Sequence, residues 1–150
     1  MSKQLTIGVI IGNRNFFPDS LVADARVEVL DLFKELNIKP ILLSDADTKL
    51  GGVETFSDAR KCAELFKAHR EEIAGVLVVL PNFGDEKGVA ETLSIANLNV
   101  PVLIQAYPDD LDKLDELSNE VLAKIKNIPG IKDIGILRNV GQPEISVILD

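Results

Sequence analysis

Residues 76–93, VLVVLPNFGDEKGVAETL, carry the pattern from which the fold follows. Val76–Leu80 is apolar without alternation, as a strand covered on both faces of a parallel sheet must be. Pro81 stops the run, a short polar turn carries Gly84, Asp85 and Glu86, and an amphipathic helical pattern continues to about Ala96. Strand, loop and helix N-terminus in that order make a βα unit. Open α/β sheets hold ligands at loops of this kind.

Working outward, the same alternation recurs. Leu5–Ile11 (LTIGVII) is a near-continuous apolar strand, and Pro18, Asp19 and Ser20 open a helix to about Leu36. Val22, Ala25, Val29, Phe33 and Leu36 recur on one face at spacings of three and four. Pro40–Ser44 is the second strand. Ser57 or Asp58 caps a helix to about Glu72, with Ala59, Cys62, Ala63, Phe66 and Ile73 turned inward. Val76–Leu80 is the third strand and Pro101–Gln105 the fourth. Strands alternating with helices of this length mean right-handed βαβ crossovers and a parallel sheet.

Beyond Pro108 the texture changes. Leu111, Leu114, Leu117, Val121, Ile125 and Ile128 form the stripe of a long helix stopped at Pro129–Gly130. Lys132–Arg138 and Glu144–Asp150 then read as two strands of a hairpin joined by NVGQP. At 150 residues this amounts to one α/β domain, with residues 1–110 as one half and 111–150 as the other.

The net charge of −8 repels phosphate backbones and anionic lipid, which argues against nucleic-acid and membrane partners. No apolar run is long enough to span a bilayer, and MSKQLTIGVI lacks the apolar core and cleavage site of a signal peptide. One cysteine and no export signal point to the cytoplasm.

The loops carry a more specific signal. NRNFFPD after the first strand, VETFSDARKCAELFKAHREEI through the second helix, VLPNFGDEKGVA after the third strand and PVLIQAYPDD at the fourth resemble, in that order, the N-terminal domain of the L-fucose and L-arabinose isomerase family. Residues 111–150, with an IPG turn and GQPE before the last strand, are similar to a ferredoxin-like porter subdomain of resistance–nodulation–division efflux transporters. Taken together, the two resemblances imply a chimera joined near Pro108–Asp110, an engineered or recombined scaffold with no native catalytic function. The alternative is a small sugar-binding module or accessory domain of an aldose–ketose isomerase.

The implied architecture is a three-layer, flavodoxin-like (Rossmann-like) sheet of four parallel strands, extended by a helix and β-hairpin. The ferredoxin-like resemblance places the last strand, antiparallel, beside the fourth, giving the order 2-1-3-4-6-5. Glu144–Leu149 is apolar on both faces, as a central strand should be. Lys132, Asp133, Gly135 and Arg138 suit an edge. A hairpin outside the sheet, order 2-1-3-4-5-6, is the other arrangement.

The isomerase resemblance implies a sugar-contact surface given to a neighbouring subunit: Arg14, Asn15 and Phe17, then Asn82, Phe83, Asp85 and Glu86, then Gln105 and Tyr107. Arg14 would meet an anion or sugar hydroxyl, Phe83 a sugar face and Asp85 hydroxyl protons. Structural duties compete: Asp85 as a helix cap, Phe17 as a staple on the first helix, Arg14 as partner of Asp19. The family's divalent metal is bound by later domains, and here the one histidine, His69, has no second ligand at metal spacing. No cofactor, catalytic residue or metal ligand is expected.

Nucleotide and nucleophile motifs fail on particular residues. IGNRNFF has one glycine where a dinucleotide fingerprint has three, and no GxxxxGK[ST] loop occurs. Cys62 lies on an apolar face and reads as an inert thiol. No partner is required; weak sugar binding and a monomer or weak dimer, through Phe16, Phe17 and Phe83, are expected.

Overall fold

The computed structural model describes residues 4–106 and 111–126. The expected hairpin strands, and the sheet order that includes them, lie outside the described residues. The chain divides into two compact units, Met1–Tyr107 and Pro108–Asp150.

In the first unit β1 (Thr6–Ile11), β2 (Lys39–Ile41), β3 (Gly75–Leu80) and β4 (Val102–Ala106) form a sheet of order β2-β1-β3-β4. Every pairing is parallel, with Gly8 opposite Val76 and Val76 opposite Val102. Helices α1 (Ser20–Glu35), α2 (Phe56–Ala68) and α3 (Glu86–Ala96) make the crossovers. The result is the three-layer α/β fold expected.

Period-two alternation in the strands builds a separate core on each face. Val9, Ile11 and Val79 meet Val22, Ala25, Val29 and Phe33 of α1. Ile10, Val76 and Val78 meet Ala59, Cys62, Ala63 and Phe66 of α2 and Val89 of α3. Phe66 is fully buried across β1, where Gly8 leaves room: a Cβ there would stand 2.9 Å from the ring. Sealing a ring of this size from water contributes on the order of 3 kcal/mol.

Several boundaries differ from the expected ones. Leu36 is 59% exposed rather than inward, because α1 ends at Glu35 and the chain turns through Asn37 at positive φ. Only Lys39–Ile41 pair as β2, although Leu43 is buried. Helix α2 is capped by Thr55, not by Ser57 or Asp58. Asp58 is its N3 residue and closes a capping box with Thr55. The helix also stops at Ala68, and Ile73 reaches the core from the following turn.

Strand β4 bears Val102, Leu103 and Ile104, all exposed. In the second unit α4 covers Leu111–Ile125, and Leu117 and Val121 of its apolar stripe are exposed. No helix among the described residues is long and apolar enough to cross a membrane.

Candidate functional site

Three chain segments meet beyond the carboxyl ends of β1 and β3. The first is the loop that follows β1 and the second the loop that follows β3. The third is the long excursion after β2, which turns through Lys49–Gly51 and returns to lay Val53 beside Gly12 as one parallel bridge. Backbone bonds tie them: Gly12 N–H donates to Val79 O at 2.9 Å, Asn13 N–H to Val53 O at 2.9 Å, and Val53 N–H to Ile11 O at 2.8 Å.

The side chains continue this lacing. Glu54 Oε2 accepts from Asn13 Nδ2 at 2.7 Å, Asn13 Oδ1 accepts from Asn82 Nδ2 at 2.7 Å, and Asn82 Oδ1 accepts from the Arg14 backbone N–H at 3.2 Å. The order is dictated by chemistry. A carboxylate only accepts, so Asn13 must turn its amide nitrogen to Glu54, and each later group is then set. Asn13 and Asn82 are buried, and buried amides require such partners.

Beside this relay lies a cleft of about 250 Å³, lined by Asn13, Arg14, Asn15, Phe16, Glu54 and Asp85. Arg14 crosses its rim. Its Nε donates to Gly84 O at 3.1 Å, its terminal nitrogen pairs closely with Glu86, and its guanidinium lies 5.9 Å from the Phe16 ring centre. The backbone N–H of Glu86 itself, with Arg14 beside it, holds the Glu86 carboxyl below its ordinary pKa.

Aromatic rings edge the cleft. Phe16 and Phe17 stand 4.9 Å apart between centroids, and Phe17 and Phe83 5.4 Å. Phe16 is 74% and Phe83 64% exposed. Phe83 holds a positive φ of 66°, which a bulky residue adopts only at a cost of roughly 1–2 kcal/mol. Gly84 follows at φ 62°, where a Cβ would come within 2.5 Å of Leu80 Cδ2. The loop thus holds an aromatic ring out to solvent at the expense of its own backbone.

Of the expected contact residues, Arg14, Asn15, Phe17, Asn82, Phe83, Asp85 and Glu86 come together here. Asp85 also caps α3, accepting from Gly88 N–H at 3.0 Å. Arg14 does not pair with Asp19. Asp19 binds Lys49 at 2.8 Å instead, and that bond, with help from Asn13, lowers its pKa. Gln105 is exposed on β4, opposite Val79, and lines no part of the cleft. Tyr107 lies outside the described residues.

Asn13 and Glu54 were not among the expected residues. Asn13 adjoins Arg14 in sequence, but only the fold shows its amide buried and bonded to Asn82. Glu54 stands 41 residues from Asn13, and only the return of Val53 to the sheet brings it in. Loops after parallel strands converge at one sheet edge, and the segment after β2 is one of them.

No three His, Cys, Asp or Glu side chains among the described residues converge on a metal position. Glu54 and Asp85 each have one carboxylate oxygen engaged by an N–H, and His69 pairs with Glu72 at 3.1 Å. The described residues offer no ligand set for the divalent metal, which the isomerase resemblance assigns to later domains. Cys62 is sealed in the core, and burial pushes its thiol up to about 12.

Fold and site together define an open α/β domain that presents a polar cleft with an aromatic rim at the carboxyl ends of its strands. A family model described as fucose/sulfoquinovose isomerase, N-terminal domain, matches residues 8–120, and the chain belongs to that family. The matched span runs past Asp110, where the second resemblance set the join, and into α4. No curated protein matches the chain.

Proposed function

We propose that this domain is the accessory, sugar-contacting part of an aldose–ketose isomerase, and that it supplies a binding surface rather than the chemistry. The observation that carries the reading is the cleft, which pairs a fixed carboxylate with exposed rings. Sugars offer hydroxyl donors to the one and C–H faces to the other. The cleft is built from the loops that the family match covers. Among the described residues no nucleophile stands beside a base and no metal ligand set forms, so enzymatic steps belong to groups outside this surface. One buried, unpaired cysteine and an acidic surface fit a cytoplasmic setting.

Amide NMR titration of the chain with neutral aldoses tests this. Shifts confined to residues near Arg14, Glu54 and Phe83, and weakened by Phe83→Ala, are expected. A dispersed spectrum that no sugar moves would favour a second reading: a recombined scaffold that keeps the fold without the function.

A further inference from the structure

The family's name spans two chemically different sugars, one neutral and one carrying a sulfonate. Charge around the cleft distinguishes them. Its ionic lining consists of the carboxylates of Glu54 and Asp85 and the guanidinium of Arg14. That guanidinium donates from Nε to Gly84 O, and its charge is offset by Glu86. Lys49, which also feels Glu54, is committed to Asp19 at 2.8 Å. Lys87 stands beside Glu86 and is exposed on α3.

A helix N-terminus is the usual place for an oxyanion in such a fold. Here two carboxylates already stand at the start of α3. Asp85 accepts from Gly88 N–H, and Glu86 occupies the first turn. A sulfonate entering the cleft would face the carboxylates of Glu54 and Asp85 against a single guanidinium that Glu86 already pairs with. Hydroxyl groups would find acceptors: Glu54 Oε2 is anchored through Asn13, while Oε1 accepts no hydrogen bond from the described residues.

We infer that the cleft selects neutral polyhydroxylated sugars and rejects anionic ones, with Glu54 as the specificity-determining residue. This rests on the sugar-surface reading above and narrows it. Its basis is repulsion built against the wrong ligand as well as attraction for the right one.

The test is an amide NMR titration of the whole 150-residue chain at pH 7.5 and low salt, with L-fucose and with sulfoquinovose. The neutral sugar should shift the amides of Asn15, Glu54 and Asp85, and the sulfonated sugar should bind at least about tenfold more weakly. Raising the salt to about 0.3 M should narrow the gap, as screening requires. Glu54→Gln, which keeps the shape and the acceptor for Asn13, should improve sulfoquinovose binding by about threefold or more. Sulfoquinovose binding as tightly as fucose would overturn the inference and leave the sugar surface standing. A gap that neither salt nor Glu54→Gln narrows would also overturn it. If neither sugar binds, the sugar-surface reading falls and this inference falls with it.

Discussion

Replacing Asn13 by Asp changes one atom type at the centre of the relay and tests whether its donor order holds the loops together. In the native chain Asn13 Nδ2 gives a proton to Glu54 Oε2 at 2.7 Å. Aspartate has no proton to give at neutral pH, so two carboxylates would face one another, with Asp19 also within reach of position 13. Like charges with centres about 4 Å apart repel by about 4 kcal/mol at an effective dielectric of 20. The lost charge-assisted bond adds about 1.5–3 kcal/mol. Against a total stability of about 5–15 kcal/mol this is a large fraction.

The new pair has an escape, which is to share a proton, and this makes the effect depend on pH. One folded-state pKa rises above its unfolded value of about 4. Stability is therefore retained below about pH 4 and lost as pH rises through the raised folded value. Urea unfolding of wild type, Asn13→Asp and Asn13→Ala at pH 5 and 7.5 reads this out. The alanine variant should lose about 2–3 kcal/mol at both pH values, from two deleted bonds. The aspartate variant should lose more than alanine at pH 7.5 and recover most of that excess at pH 5. Equal losses for the two variants, unchanged with pH, would refute the relay.

Two further outcomes follow from backbone and core. Gly84→Ala meets both a positive φ and Leu80 Cδ2 at 2.5 Å, and should cost about 2 kcal/mol or more in urea unfolding; a neutral result would mean the loop can re-route. Cys62, with its thiol pushed up to about 12 by burial, should resist iodoacetamide at pH 8 in the folded chain and react once urea unfolds it, as followed by mass spectrometry.

How much of this was legible in the sequence varies by interaction range. Helix faces were legible because their signal is local: Val22, Ala25, Val29 and Phe33 are all buried as their spacing predicts. Alternation and crossover handedness imply parallel strands, whereas the order β2-β1-β3-β4, which the sheet has, was legible only through the family resemblance. The caps were half legible. Thr55, Ser57 and Asp58 all have capping chemistry, and only backbone geometry made Thr55 the cap and Asp58 its N3 partner. Leu36 misled because periodicity does not show where a helix stops.

The site was legible in its parts and illegible in its wiring. NRNFF and PNFGDE were recognisable as loops at the sheet's carboxyl edge, and they supply seven of the expected contact residues. The partner of Arg14 was not recognisable. Asp19 is five residues away and Glu86 is 72, so local reasoning favoured the wrong one. The native choice follows from the relay, which holds the Arg14 backbone against Asn82 and so aims its side chain across to Gly84 and Glu86.

That wiring bears on function. Each loop in the cleft is fixed by another loop as well as by its own helix: β1's by Asn82 and Val53, β3's by Asn13 and Arg14, and the excursion after β2 by Ile11 and Asn13. Polar groups that rigidify a binding surface must themselves be satisfied, and here they satisfy one another, leaving one oxygen of Glu54 without a hydrogen bond from the described residues. The rings of Phe16 and Phe83 remain exposed because nothing in the relay needs them. The exposed ring of Phe83, on a strained, glycine-backed loop, lowers stability where it stands. A ligand or partner surface that covers those rings accounts for its place at the rim, whereas core packing does not.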